Sequence, residues 1–357
     1  MKEHIFNKNS TDACKGLALI LLLWHHLFYM NPEFGFITYK FALLSKVCVA
    51  IFVILSGYGF SESVKHKNIG LFSFYQKRLV PLLFNYWFIA LIFVPIGILL
   101  FDRTLFDAFS SHAYTKFIVQ MTGLHRFFYS DYGYNATWWY MSVIIALIIL
   151  FPFIYDLIKK YGMLILILLL ILLFPKNFFS PVINTWLLPF SLGIYLSQNN
   201  YIATISNRLN RFGNWRFVML VGAIIFIAVF RSFSPVLGGI YSDWLFGGIL
   251  ILFIFEVTMV FNRLNLILGY LGKHLFNIFL FHTFIYLYFF SDFIYMFKYP
   301  VFIFFVLLFI CILVSLVIEQ LKVIVGFDKL VKWVSRLKVP AYLEIDFVRK
   351  ATVDVSK

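Results

Sequence analysis

The chain has 357 residues, 62% of them hydrophobic and 13% charged, with a formal net charge of +14. Soluble domains carry about a quarter charged residues and under half apolar ones. This balance, with a mean hydropathy of +0.90, excludes a soluble globule and points to an all-α, polytopic membrane bundle.

The chain opens with no cleavable-signal pattern, so the first apolar run is expected to be retained. That run, 15–30, is the first of ten expected helices. It holds Asp12, Lys15, Trp24, His25 and His26 in or beside an otherwise apolar span. Ionisable groups inside a bilayer are expensive and are functional candidates by default. Lys15 and His26 are eleven residues apart, three helical turns, which puts them near one face and about 16 Å apart along the axis. His25 points about 100° away from His26. A neutral imidazole there can take a proton from a hydroxyl and return it to a leaving group. The bland reading is a histidine that bonds a neighbouring helix.

The second run, 42–61, carries Ser56, Gly57 and Gly59, where small residues let another backbone approach. Packing is the stronger reading for both glycines. Lys77 and Arg78 precede the third run, 80–100. They serve as topology signals on sequence alone, yet Arg78 and Lys15 also place two cations on one membrane face, which suits phosphate. The segment 101–136 is an outer loop of a length that is often functional. Asn135, Trp138, Trp139 and Tyr140 lead into the fourth run, 138–156. Tryptophan and tyrosine at that depth read first as an interfacial belt and second as a platform for a sugar ring.

Runs at 162–175 and 182–197 are short and punctuated by Pro175, Pro181 and Pro189. Runs at 217–231 and 244–262 follow, the latter with Glu256 near its inner end, where the side chain could snorkel to water. The run 275–291 brings Asn277 and a further intramembrane histidine, His282, either of which could be interhelical glue. The last run is 300–321, with Glu319 near its inner edge. We divide the chain into a transmembrane domain, 1–321, and a basic interfacial helix and tail, 322–357. There is no internal repeat. The three cysteines, Cys14, Cys48 and Cys311, form no metal-ligand or disulfide pattern.

Lysine and arginine gather on one set of flanks. These hold Lys2, Lys8 and Lys15, then Lys65, Lys67, Lys77 and Arg78, then Lys159 and Lys160. Arg208, Arg211, Arg216, Arg263, Lys273 and Lys322 continue the set. The positive-inside rule puts both termini in the cytoplasm and requires an even helix count, as ten is. Dispersed in this way, the cations argue against nucleic acid as a partner and for contact with anionic membrane lipid.

Several of these motifs, in this order, resemble the integral-membrane acyltransferase-3 group, which O-acetylates bacterial surface glycans. Lys15 with His26 is similar to the family's basic residue, ten residues and histidine, with lysine where arginine is commoner. Phe52 to Tyr58, Lys77-Arg78-Leu79, Trp139-Tyr140-Met141, Pro189-Phe190 with Gly193, and Leu271 to His282 resemble further family elements. Leu275 stands where a serine is common.

The resemblance implies a stand-alone acyltransferase without a soluble hydrolase-like extension, in the bacterial cytoplasmic membrane. It implies an acetyl group moved from acetyl-CoA or another acyl-CoA, with no resident cofactor or metal, to a hydroxyl of a glycan or lipid-linked glycan. His26, with His25 beside it, would be the catalytic base. Lys15, Arg78 and Lys77 would hold the donor, and Asn135, Trp138, Trp139 and Tyr140 the acceptor. Asp12, Ser56, Gly57, Asn277 and His282 would support the site. A homo-oligomer is compatible with this reading. The rival readings are a flippase of lipid-linked glycan precursors using the histidines as a proton relay, a glycan polymerase, and a non-catalytic assembly partner. The flippase lacks a recognisable inverted repeat, and the polymerase lacks an arginine-rich outer loop.

Overall fold

The computed structural model describes residues 5–67, 69–173, 181–233 and 242–337. Lys2, Pro175, Lys176 and the tail beyond residue 337 lie outside them. Among the described residues the chain is helical throughout, with no strand.

Helix α1, Lys8–Phe28, starts at an Asn7 cap whose side chain accepts from the Ser10 amide, satisfying one of the free amides of a helix start. The second run begins earlier than expected and breaks in two, α2 (Phe36–Ser45) and α3 (Cys48–Val64). Helix α4 spans Leu71–Leu100, so Lys77 and Arg78 lie inside it rather than ahead of it. The segment 101–136 folds into α5 (Leu105–Phe109), α6 (Ala113–Met121) and α7 (His125–Phe128). Helix α8 is Trp139–Tyr161, α9 Met163–Leu173 and α10 Pro181–Gln198. Then come α11 (Tyr201–Leu209), α12 (Trp215–Phe233) and α13 (Asp243–Val260).

Helix α14, Asn262–Thr283, passes directly into a π-helical turn, Phe284–Phe289. Helix α15 (Ser291–Tyr295) and α16 (Pro300–Ile324) follow, and the amphipathic α17, Phe327–Val334, closes the described chain. Each of the ten expected runs overlaps helix among the described residues, the second falling on two helices and residues 174–175 of the fifth lying outside the described part. Seven helical stretches are long and apolar enough to cross a membrane, and the protein is a multi-pass membrane protein. Helix α1 is not among the seven, because Asp12, Lys15, His25 and His26 dilute its apolar character.

Burial separates the centre of the bundle from its lipid-facing rim. In the apolar window of the α8 stretch 72% of residues are buried, against 11% in α12. With no hydrophobic drive between helices in lipid, close approach depends on small residues. A Cβ on Gly16 would stand 2.0 Å from the Leu268 carbonyl oxygen, and one on Gly272 1.9 Å from that of Asp12. Residues 12 and 16 of α1 pack on 268 and 272 of α14, and further along both helices 26 meets 282, so α1 and α14 climb the bundle in parallel. Gly57 and Gly193 join α3 to α10 in the same way, against Phe190 and Ile54. Gly59 instead faces open space. Packing therefore accounts for Gly57 and not for Gly59.

The peripheral helix α12 is tied to α13 by two buried ion pairs, Arg216 with Glu256 at 2.9 Å and Arg231 with Asp243 at 3.0 Å. Glu256 has no exposed surface, so it does not snorkel to water. Lys322, placed by sequence at the head of the tail, belongs to the last turn of α16 and is buried.

Candidate active site

One cavity of about 690 Å³ collects residues from five helices. One end carries Lys8 and Lys15 of α1, Lys77 and Arg78 of α4, and Lys273 of α14. One carboxylate faces these five cations: Asp12, whose Oδ1 accepts from Lys15 Nζ at 2.9 Å. Arg78 is half-buried, and its guanidinium lies over the rings of Phe60 (4.7 Å) and Phe74 (5.9 Å). Stacking of this kind holds the planar fork without using its N–H donors, which stay free for an anion. Arg78 and Lys77 also line a neighbouring groove of about 570 Å³ with His66 and Lys67.

Tyr140, Ile144 and Phe279 also line the cavity, away from the cations. Ser56 and Gly59 form part of the wall, with the Ser56 hydroxyl donating to the Phe52 carbonyl. The ring of Phe279 stands 5.3 Å from Tyr140 on one side and 6.5 Å from His282 on the other.

Beyond Phe279 lie the two histidines that sequence placed on separate helices. The rings of His26 and His282 have their centroids 5.0 Å apart. His25 turns elsewhere, as its helical position requires. Its Nδ1 donates to the Ala42 carbonyl of α2 at 2.7 Å, and its ring stacks on Tyr29 at 4.6 Å. His282 has no exposed surface, and its Nδ1 lies 2.9 Å from the Ile278 carbonyl and 3.1 Å from that of Phe279. A carbonyl only accepts, so Nδ1 carries the proton and Nε2 is a bare acceptor. That Nε2 is buried without a partner.

The four residues foreseen for an acceptor part company. Asn135 is fully buried and organises a polar knot, its Oδ1 accepting from the Thr137 amide and hydroxyl and from the Thr283 hydroxyl. Trp138 is buried and donates to the Leu280 carbonyl at 2.8 Å. Both hold the entrance of α8 against α14. Tyr140 lines the cation-bearing cavity instead. Of the four, only Trp139 lines a separate cleft of about 540 Å³, shared with Tyr129, Tyr132 and Trp186.

Asn277 belongs to a separate, partly buried network with Ser315, Glu319 and Lys322, joining α14 to α16. Sequence reasoning missed Lys8 and Lys273 as cavity residues and saw them only as topology signals. The single cue was the position of Lys273 within the Leu271–His282 motif.

The segment 101–136 is itself ordered by charge. Asp131 accepts from Lys116 at 2.8 Å and lies 3.1 Å from His125 Nε2, while Thr104 and Asp107 form a capping box at the start of α5. Burial holds the His125 imidazole below its ordinary value, against the opposing pull of Asp131. The two bonds from Thr104 lower the carboxyl of Asp107. Burial raises the Tyr134 phenol to about 12.

Among the described residues no cluster of histidine, cysteine or carboxylate side chains could hold a metal. Neither a curated protein nor a solved structure matches the chain. A model of the acyltransferase-3 family, described as an acyltransferase domain, matches residues 8–320, which take in every wall of the cation-bearing cavity and both histidines of the pair. The chain thus belongs to the acyltransferase-3 family, the membrane acyltransferases.

Proposed function

We propose that this protein moves a short acyl group, acetyl in the first instance, from acyl-CoA to a hydroxyl of a bacterial surface glycan or its lipid-linked precursor, in the cytoplasmic membrane. The observation that carries this reading is the one-sided charge of the cavity. Five cations against one carboxylate in its wall suit the phosphates of a nucleotide-borne donor, with Arg78 as a fork and the lysines as point charges. The donor arm runs from there along the cavity, and its thioester reaches Tyr140 and Phe279.

In the chemical step a ring nitrogen of His26 takes the proton of the acceptor hydroxyl. The oxygen bonds to the thioester carbonyl carbon, the C–S bond breaks, and the departing sulfur receives the proton from His26. Phe279 stands between cavity and histidines, so its ring must turn aside for the thioester to reach His26. The acceptor enters from the opposite side, past Tyr132, Trp139 and the Tyr29 that stacks beside the histidines.

The test is alkali-labile acetate on the surface glycan of cells expressing the wild type, His25→Ala or His26→Ala, with membrane levels matched. Acetate present with the wild type and His25→Ala but lost with His26→Ala supports the reading. A wild type that adds no acetate over empty vector, and releases no thiol from acetyl-CoA, sinks it.

A further inference from the structure

The bare Nε2 of His282 is one of several buried polar atoms without a hydrogen-bond partner, and it lies beside the ring of His26. Buried polar atoms are nearly always paired, and an orphan acceptor inside a bilayer is costly. Two other histidines of the bundle do find partners. His25 bonds the Ala42 carbonyl, and His274 bonds the Ser315 hydroxyl at 2.9 Å. His282 spends its one proton on the turn of helix behind it, which fixes its tautomer and leaves its lone pair without a donor.

The neighbour that can supply a donor is His26. Their ring centroids are 5.0 Å apart, close to the separation of two imidazoles joined by an N–H···N bond of about 3 Å; the structure leaves that bond open, and rotation of the His26 ring would close it. The backbone marks the place as well. The π-helical turn starts two residues after His282 and sets Tyr286 beside both rings, 6.4 Å from His26 and 6.0 Å from His282. Such turns are rare in helices and concentrate at functional sites.

We infer that His282 is a positioning residue for His26: its Nε2 accepts the ring N–H of His26 and so fixes the His26 tautomer whose other nitrogen is free to act as base. The inference rests on the proposed acyl transfer for its catalytic consequence, though not for the tautomer itself. During transfer the proton leaves the acceptor hydroxyl for the free nitrogen of His26. The N–H on the other nitrogen stays bonded to His282, so the imidazolium is oriented and its charge is met by an acceptor. The proton then passes to the departing sulfur, and both histidines return to their starting tautomers. This is the division of labour in which a third group orients a catalytic imidazole, with a neutral histidine doing the orienting inside the membrane.

Three substitutions separate this role from packing. His282→Leu removes the acceptor and keeps bulk. His282→Gln carries an amide oxygen to the position of Nε2, whereas His282→Asn reaches only the position of Nδ1. With purified full-length protein, acetyl-CoA as donor and de-acetylated host surface polysaccharide as acceptor, His282→Leu and His282→Asn should lower kcat roughly 10- to 100-fold. That is less than loss of the base itself. Both Michaelis constants should stay within twofold, and His282→Gln should recover most of the rate. If His282→Leu does not accumulate, the Gln and Asn pair decides the matter.

Rates for Leu or Asn within threefold of the wild type, or a Gln variant as slow as Asn, would overturn the positioning role. A readout without turnover keeps it separate from the acyl-transfer reading. In protein labelled with ¹⁵N-histidine, the His26 ring nitrogens, assigned through His26→Ala, should show one neutral tautomer in the wild type and a mixture in His282→Asn. An unchanged spectrum overturns the inference even if acyl transfer is confirmed. A tautomer change in a protein that transfers no acyl group leaves the pairing intact and removes only its catalytic use.

Discussion

Gly272 lies directly on the Asp12 carbonyl, where a Cβ would stand 1.9 Å from the oxygen. The contact draws α14 against α1 at the cation-bearing end of the bundle. Both helices then rise together, and ten residues beyond Gly272, about 15 Å higher, His282 meets His26. The glycine sets the helix spacing on which the histidine pair depends.

Gly272→Ala is expected to force the two helices apart, since the obstacle is backbone and cannot rotate away. Overpacking of this kind costs roughly 1–3 kcal/mol. Thermal denaturation in detergent should show a lowered midpoint for Gly272→Ala and little change for Gly269→Ala, where the added Cβ meets nothing within 4 Å. Equal midpoints for the two variants would contradict the account of the helix contact.

Arg78→Ala should weaken donor binding more than it slows the step after binding, because the guanidinium sits among the cavity's cations and not by the histidines. The loss of a charge-assisted contact of roughly 1.5–3 kcal/mol corresponds to about a 10- to 150-fold rise in the KM for acetyl-CoA. Arg78→Lys should recover it only partly, since a point charge does not reproduce a stacked fork. Thiol release against acetyl-CoA concentration measures this, and an unchanged KM would remove Arg78 from the donor site.

The buried pair of Arg216 and Glu256 should behave as a structural tie between α12 and α13. Removing either partner strands a buried charge and costs about 3–5 kcal/mol. The double variant Arg216→Met with Glu256→Met should be less destabilised than either single variant. A double-mutant cycle on unfolding midpoints reads the coupling, and strict additivity would show that the two charges do not interact.

Acid should loosen the segment 101–136 through His125. Its folded imidazole titrates below the ordinary value of 6.5, chiefly because it is buried. Between those two values the unfolded segment binds the proton more readily, so stability is full above about 6.5 and falls as pH drops toward the depressed value. Hydrogen exchange over residues 105–134, corrected for intrinsic rates, should rise from pH 7.5 to 5.5 in the wild type and less so in His125→Phe. An equal rise in both would assign the effect to other groups.

Much of this protein was legible from its sequence, because a bilayer restricts what a chain can do. Backbone groups in hydrocarbon must be satisfied within the segment, so an apolar run of sufficient length becomes a helix, and each of the ten expected runs overlaps helix among the described residues. The intramembrane cost of Lys15, His26 and His282 likewise flagged them before any geometry was known. Sequence could not distinguish a cation that marks topology from one that lines a cavity, and Lys8 and Lys273 were read only as topology. Nor could it show that Asn135 and Trp138 point into the bundle while Trp139 points out, since adjacent residues on a helix differ in direction by about 100°. That Glu256 finds Arg216, and that His26 faces His282 across 256 residues of chain, depended on how the helices pack. Composition and periodicity fix each helix by itself, whereas side-chain partners follow from where glycines such as Gly16 and Gly272 let two backbones meet.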